Sequence, residues 1–192
     1  MSRNTSFVFY LSCLALATGC PSKQTGPASS AGHDAGVAAD AATAAAQDFD
    51  ATASDFECLS KWTKVRSFYI TNKLDALDQA LAVAHSADGG VYPAGTIIQL
   101  VPQEAMVKRR AGFSAETGDW EFFSLRVSAT GTTIVKRGTG DVTNAFNGNC
   151  KDCHGKAEPK FDFVCEQSHG CAALQLTPKL IDTLQSGDAR CQ

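Results

Sequence analysis

The sequence is short of the features that would assign it to several large functional classes. Its 17 basic residues are balanced by 20 acidic ones. Removal of Arg3 with an N-terminal leader leaves 16 basic residues, so the mature chain is mildly acidic. It carries no basic patch, which excludes nucleic acid as a partner. No Ser-His-Asp or Cys-His pattern marks a nucleophilic catalyst, and no glycine loop is built for phosphate. There is no internal repeat. No apolar run reaches bilayer length: the longest, Phe7 to Ala17, is too short to span. Methionine occurs only twice; the internal one is Met106, so none follows residue 107.

Cysteine, by contrast, is plentiful, with eight in 192 residues. Two of them stand in Cys150-Lys151-Asp152-Cys153-His154, the C-x-x-C-H pattern of a c-type haem site. The chemistry dictates the spacing. Two thiols three residues apart sit about one helical turn apart and can both add to vinyl groups on one edge of a haem. The next residue, His154, then offers a ring nitrogen to iron. The competing reading of the pentapeptide is a zinc site or a disulfide loop.

The first twenty residues read as a bacterial lipoprotein signal. Arg3 precedes the apolar run, and small residues Ala17-Thr18-Gly19 lead to Cys20. Residues 1–19 are thus expected to be removed and Cys20 acylated, although Ala17 replaces the usual Leu and leaves ordinary secretory cleavage open. Acyl chains would anchor the protein on a membrane without a spanning helix. Pro21 in place of Asp directs it to the periplasmic face of the outer membrane of a Gram-negative cell. Residues 20–54, with twelve alanines from position 21 on and Phe49 as sole aromatic, read as a disordered tether. His33 within it reads as a solvated side chain.

Cysteine arithmetic agrees with export. Cys13 leaves with the leader, Cys20 takes lipid, and Cys150 with Cys153 take haem. Cys58, Cys165, Cys171 and Cys191 remain and permit three connectivities. The favoured one joins Cys165 to Cys171 across a short loop and Cys58 to Cys191 across the domain's two ends, as suits an oxidising compartment. The rival is a metal site from Cys165, His169 and Cys171.

Residues 55–192 suit one domain with one core. Ser54-Asp55-Phe56-Glu57 has capping-box form and predicts a helix presenting Phe56, Leu59 and Trp62. Ser67–Thr71 reads as a strand. Asn72 is expected to cap a helix with Leu74, Leu77, Leu81 and Ala84 on one face, and His85 at its end reads as a dipole partner. After the Tyr92–Gly95 turn come four strand patterns: Thr96–Val101, Glu104–Arg110, Trp120–Val127 and Thr132–Arg137. Thr177-Pro178 opens a last helix with Leu180, Ile181 and Leu184 inward. The expected class is α+β, an antiparallel β-sheet flanked by helices and binding one c-type haem.

The Tyr92-Pro93-x-Gly95-Thr96 turn, the Trp120-x-Phe122 strand and the Asn149-Cys150-x-x-Cys153-His154 site come in an order that resembles the cytochrome P-460 and cytochrome c′-beta family. The resemblance spans roughly Trp62 to Phe163. It implies a sheet over a single haem c, His154 as proximal ligand, an open or weakly held distal side, and pairing into a homodimer. In one branch of that family a lysine on the strand after the turn is cross-linked to the porphyrin, and hydroxylamine is oxidised. Here Ile97-Ile98-Gln99-Leu100 has no lysine, and Lys108 lies on the next strand in another register. The other branch binds nitric oxide or carbon monoxide under an apolar face, which Phe122, Phe123 and Tyr69 are expected to supply or else to serve as core aromatics.

Three roles follow as expectations. The first is gas binding or redox chemistry at a five-coordinate iron. The second is electron transfer with a periplasmic partner, the sixth ligand coming from Met106, Lys108 or His85. The third is an oxidoreductase on nitrogen compounds with Glu104 or Glu121 as base, against a plain reading of both glutamates as a solvated strand edge.

Overall fold

The computed structural model describes residues 47–192 apart from Phe146, Gln167 and Gln175. Cys13, Cys20, His33 and most of the expected tether lie outside the described residues. Six strands form one antiparallel sheet in chain order: β1 (Thr63–Val65), β2 (Phe68–Asn72), β3 (Thr96–Gln99), β4 (Glu104–Lys108), β5 (Trp120–Ser128) and β6 (Gly131–Gly138). The α+β class holds, with β1 as a strand beyond those expected. Helix α1 (Leu77–His85) fills the long β2–β3 connection, and α2 (Cys150–His154) and α3 (Pro178–Ser186) follow the sheet. Among the described residues no helix is long and apolar enough to cross a membrane.

The inner strands are buried on both faces, which is why β3 and β5 read as nearly continuous apolar runs. The register sorts their side chains. Ile70, Ile98, Met106 and Phe122 share one face, where Ala80 and Ala84 of α1 also pack. Ile97, Val107 and Phe123 share the other, covered by Ala51, Phe56, Leu59 and Trp62.

That cover differs from expectation. In place of one helix there are two 3-10 turns, Ala53–Asp55 and Leu59–Lys61. The Leu59 amide donates to Asp188 Oδ2 at 3.0 Å, and a helix continuing from Phe56 would give up that bond. Residues 48–54, expected within the tether, are folded onto the sheet. Asp48 accepts from Arg109 Nη2 at 2.8 Å and from the Arg110 amide at 2.9 Å. Ala51 is 1% exposed. The cause is a charge cluster: Arg109 and Arg137 both pair with buried Glu121, and Asp48 and Asp50 complete their neutralisation.

Glu121 is therefore no solvated strand edge, and neither is Glu104, since β4 and β5 are interior strands. Replacing Glu121 by Gln leaves two guanidinium groups with one charge fewer between them. A loss of about 3 kcal/mol is expected, seen as a lower urea midpoint at unchanged slope. An unchanged midpoint would mean that Asp48 and Asp50 suffice.

Asn72 ends β2, and its side chain accepts the amides of Leu74 and Ala76 before α1 begins. Thr177 caps α3, with Pro178 at the first position as expected. Ile181 is buried and Leu184 partly so, but Leu180 is 42% exposed. Gln185 takes the inward position instead, donating to the Ser67 and Leu100 carbonyls at 2.7 and 2.8 Å. Hydrogen bonds, more than apolar contact, seat this helix.

Candidate functional site

The Met106–Phe122 face of the sheet opens into a cleft of about 480 Å³, the size range of small-molecule and cofactor pockets. Phe68, Ile98, Met106 and Phe122 form its sheet wall, and Cys150, Cys153 and His154 of α2 stand in the same cleft.

Helix α2 is a single turn set by its flanks. The Asn149 side chain accepts the Asp152 amide at 3.1 Å as an N-cap, and its Nδ2 donates to the Gly140 carbonyl at 2.8 Å. The Cys150 amide donates to the Val142 carbonyl, binding the turn to the chain leaving β6. Cys150 and Cys153 are free thiols. The other four described cysteines are joined as Cys58–Cys191 and Cys165–Cys171, the favoured pairing.

His154 Nδ1 lies 2.7 Å from the Phe163 carbonyl oxygen. A carbonyl only accepts, so Nδ1 carries the hydrogen and Nε2 keeps its lone pair. Nε2 has no hydrogen-bond partner among the described residues. Burial pushes the imidazole pKa down, which keeps the ring neutral and able to ligate a metal. The Phe163 carbonyl is aimed by an unusual backbone: Asp162 and Phe163 are both left-handed, with φ of 49° and 64°. Such a conformation costs about 1–3 kcal/mol per residue and persists only where neighbours enforce it.

Burial, with help from Glu104 and Cys153, pushes the Cys150 thiol up to about 11. Burial also raises the pKa of Glu104, which accepts the Ala145 amide. A thiol held protonated is a poor nucleophile and a poor ligand for a bare ion. Among the described residues, the one trio whose ligand atoms converge is Cys58, Asp188 and Cys191. Its sulfurs form a disulfide, and its carboxylate is held by the Leu59 amide and Arg190, so it holds no metal. Cys150, Cys153 and His154 share a cleft without converging on one point, an arrangement that fits a group larger than an ion.

Several expected site residues are elsewhere. Phe123 and Tyr69 pack on the opposite face of the sheet, and Glu121 pairs with Arg109 and Arg137. Of the three aromatics only Phe122 reaches the cleft, its ring centroid 5.3 Å from that of His154. His85 is exposed in the last turn of α1. Lys108 is buried away from the cleft, with Nζ 2.6 Å from Asp162 Oδ2. His169 of the rival metal set donates from Nδ1 to the Val164 carbonyl and stacks on Phe161, while its two cysteines are bonded to each other.

Met106 and Glu104 do line the cleft. So does Glu166, which is paired with Arg66. The sequence pointed to neither Asp162 nor the Phe163 carbonyl, since a backbone acceptor leaves no side-chain signature. Comparison with known proteins finds no family, no curated relative and no solved structure that matches the chain.

Proposed function

We propose that this chain carries one haem c, held by thioether bonds to Cys150 and Cys153 and ligated through His154 Nε2, and that redox or small-gas chemistry at that haem is its role. The observation that carries the reading is an imidazole lining the cleft with the two unpaired thiols, its Nδ1 committed to the Phe163 carbonyl and its Nε2 without a hydrogen-bond partner among the described residues. A haem ligand needs this fixed tautomer. When bound, the haem would supply a redox-active iron for electron transfer or for binding a small ligand.

The residues around it set what can enter. Phe68, Ile98 and Phe122 make an apolar wall that excludes water and favours a small neutral ligand such as nitric oxide or carbon monoxide. Hydroxylamine oxidation through a lysine cross-link has no support: β3 contains no lysine, and Lys108 is committed to Asp162. The two disulfides fit the oxidising compartment to which a leader and a lipid on Cys20 would deliver the protein. On this reading it lies in the periplasm, anchored to the outer membrane and exchanging electrons with a partner there. The likeness to the cytochrome P-460 and c′-beta family belongs to the same proposal.

The test is the reduced absorption spectrum with and without carbon monoxide, on protein made in a periplasm that matures c-type haem. A spectrum that shifts with carbon monoxide is the expected result. One observation favours electron transfer as a second reading: the Met106 thioether reaches the cleft from an interior strand. A low-spin spectrum unmoved by carbon monoxide, made responsive by Met106→Leu, would establish that reading in place of the first.

A further inference from the structure

We infer that the buried Lys108–Asp162 pair is a positioning device for the His154 ring, acting through the Phe163 carbonyl. The inference rests on His154 being the iron ligand. Lys108 is 4% exposed and lies outside the cleft, so its charge needs another explanation. Its Nζ donates to Asp162 Oδ1 and Oδ2 at 2.7 and 2.6 Å and to the Gly118 carbonyl at 2.6 Å.

Asp162 is held at two further points. Its Oδ2 accepts the Tyr92 amide at 2.8 Å, and its carbonyl accepts Trp120 Nε1–H at 2.7 Å. The next residue is clamped as well. The Phe163 ring packs so closely on Gly118 that a Cβ there would come within 2.9 Å of it. Two successive left-handed residues do not keep their shape unaided, and rotation of the peptide that joins them to Val164 would swing the Phe163 carbonyl off His154 Nδ1. Side chain and carbonyl of Asp162 together therefore decide where the acceptor of the His154 hydrogen points.

The brace begins on the same two strands that wall the cleft. Lys108 lies opposite Trp120, and Met106 opposite Phe122, in one β4–β5 register. The sheet thus fixes the wall and, through Asp162, the imidazole that faces it. A hydrogen bond from Nδ1 makes a ligating histidine more basic and steadies the oxidised iron. Loosening the brace should then raise the reduction potential and weaken the iron–histidine bond.

The experiment uses the haem-loaded full chain with Lys108→Met and Asp162→Asn together, so that neither charge is left buried alone. Expected are wild-type covalent haem, a lower and broader iron–histidine stretching band in the ferrous protein, and a higher reduction potential. Asp48→Asn, which loosens the opposite face, should lower the melting temperature and leave band and potential unchanged. A wild-type band and potential in the double variant overturn the inference. So does a shift of equal size in Asp48→Asn, since general loosening would then be the cause.

If the double variant does not fold, Trp120→Phe removes the donor to the Asp162 carbonyl, together with part of a buried ring that packs on Tyr92, and leaves the Lys108–Asp162 pair in place. It should move band and potential in the same direction by less, and no movement overturns the inference. If the wild-type chain carries no haem, the haem reading fails by itself, and the brace is read in the haem-free chain from the ¹⁵N shifts of His154. A single Nδ1–H tautomer in wild type that becomes a mixture in the double variant upholds the brace; unchanged shifts overturn it.

Discussion

A chain bearing Cys150→Ala and Cys153→Ala together carries no covalent haem: denaturation and acidified-solvent extraction remove all of the colour. The loss is expected to be complete because no described cysteine can substitute. Cys58 with Cys191, and Cys165 with Cys171, have no thiol to offer. Each single variant keeps one thiol in the cleft and should retain haem in reduced yield through one thioether. The fold should survive in all three, since both positions are only partly buried and α2 is held by Asn149 and the Val142 carbonyl rather than by its sulfurs. Far-ultraviolet circular dichroism close to wild type, with colour gone, is the expected pair of results. Haem that stays with the double variant through extraction would place the attachment elsewhere and remove the basis for His154 as ligand.

What the sequence made legible, and what it hid, divides along physical lines. Strands β2 to β6 were readable because β-branched and aromatic runs alternate with connections that carry glycine or, between β3 and β4, Pro102. Strand β1 was not, since three residues with one buried side chain, Val65, give no alternation to see. Both disulfides were readable because four cysteines outside the leader and the C-x-x-C-H pattern leave only three possible pairings. Which face of the sheet carries the cleft was not. Trp120, Phe122, Phe123 and Leu125 announce a strand buried on both sides, and only the register assigns Phe122 to His154 and Phe123 to the opposite core. The segment 48–54 looked like tether because its anchors are charges, with Asp48 finding Arg109 at 61 residues' distance along the chain. Local composition holds no record of such a pairing.

The second large effect concerns stability. Cys58→Ser with Cys191→Ser opens a link between residues 133 apart in sequence, nearly the whole described domain. By loop-closure entropy such a link is worth about 5 kcal/mol, against about 2 kcal/mol for the Cys165–Cys171 link, whose cysteines are only 6 residues apart. A domain of this size has a total stability of only about 5–15 kcal/mol. The open variant should therefore melt roughly 15 °C lower.

The native junction itself should persist. Asp188 still accepts the Leu59 amide, and Arg190 still donates to Asp188 and to the Phe56 carbonyl. The cost then falls on the unfolded chain, which regains the freedom the link had removed. Two readings separate this from damage to the native state. The absorption spectrum at 25 °C should match wild type, because the junction lies under the sheet face opposite the cleft. The unfolding transition should keep one step while its midpoint falls. A spectrum that changes along with the midpoint would mean that the link shapes the folded protein as far as His154, and the entropic account would then be wrong.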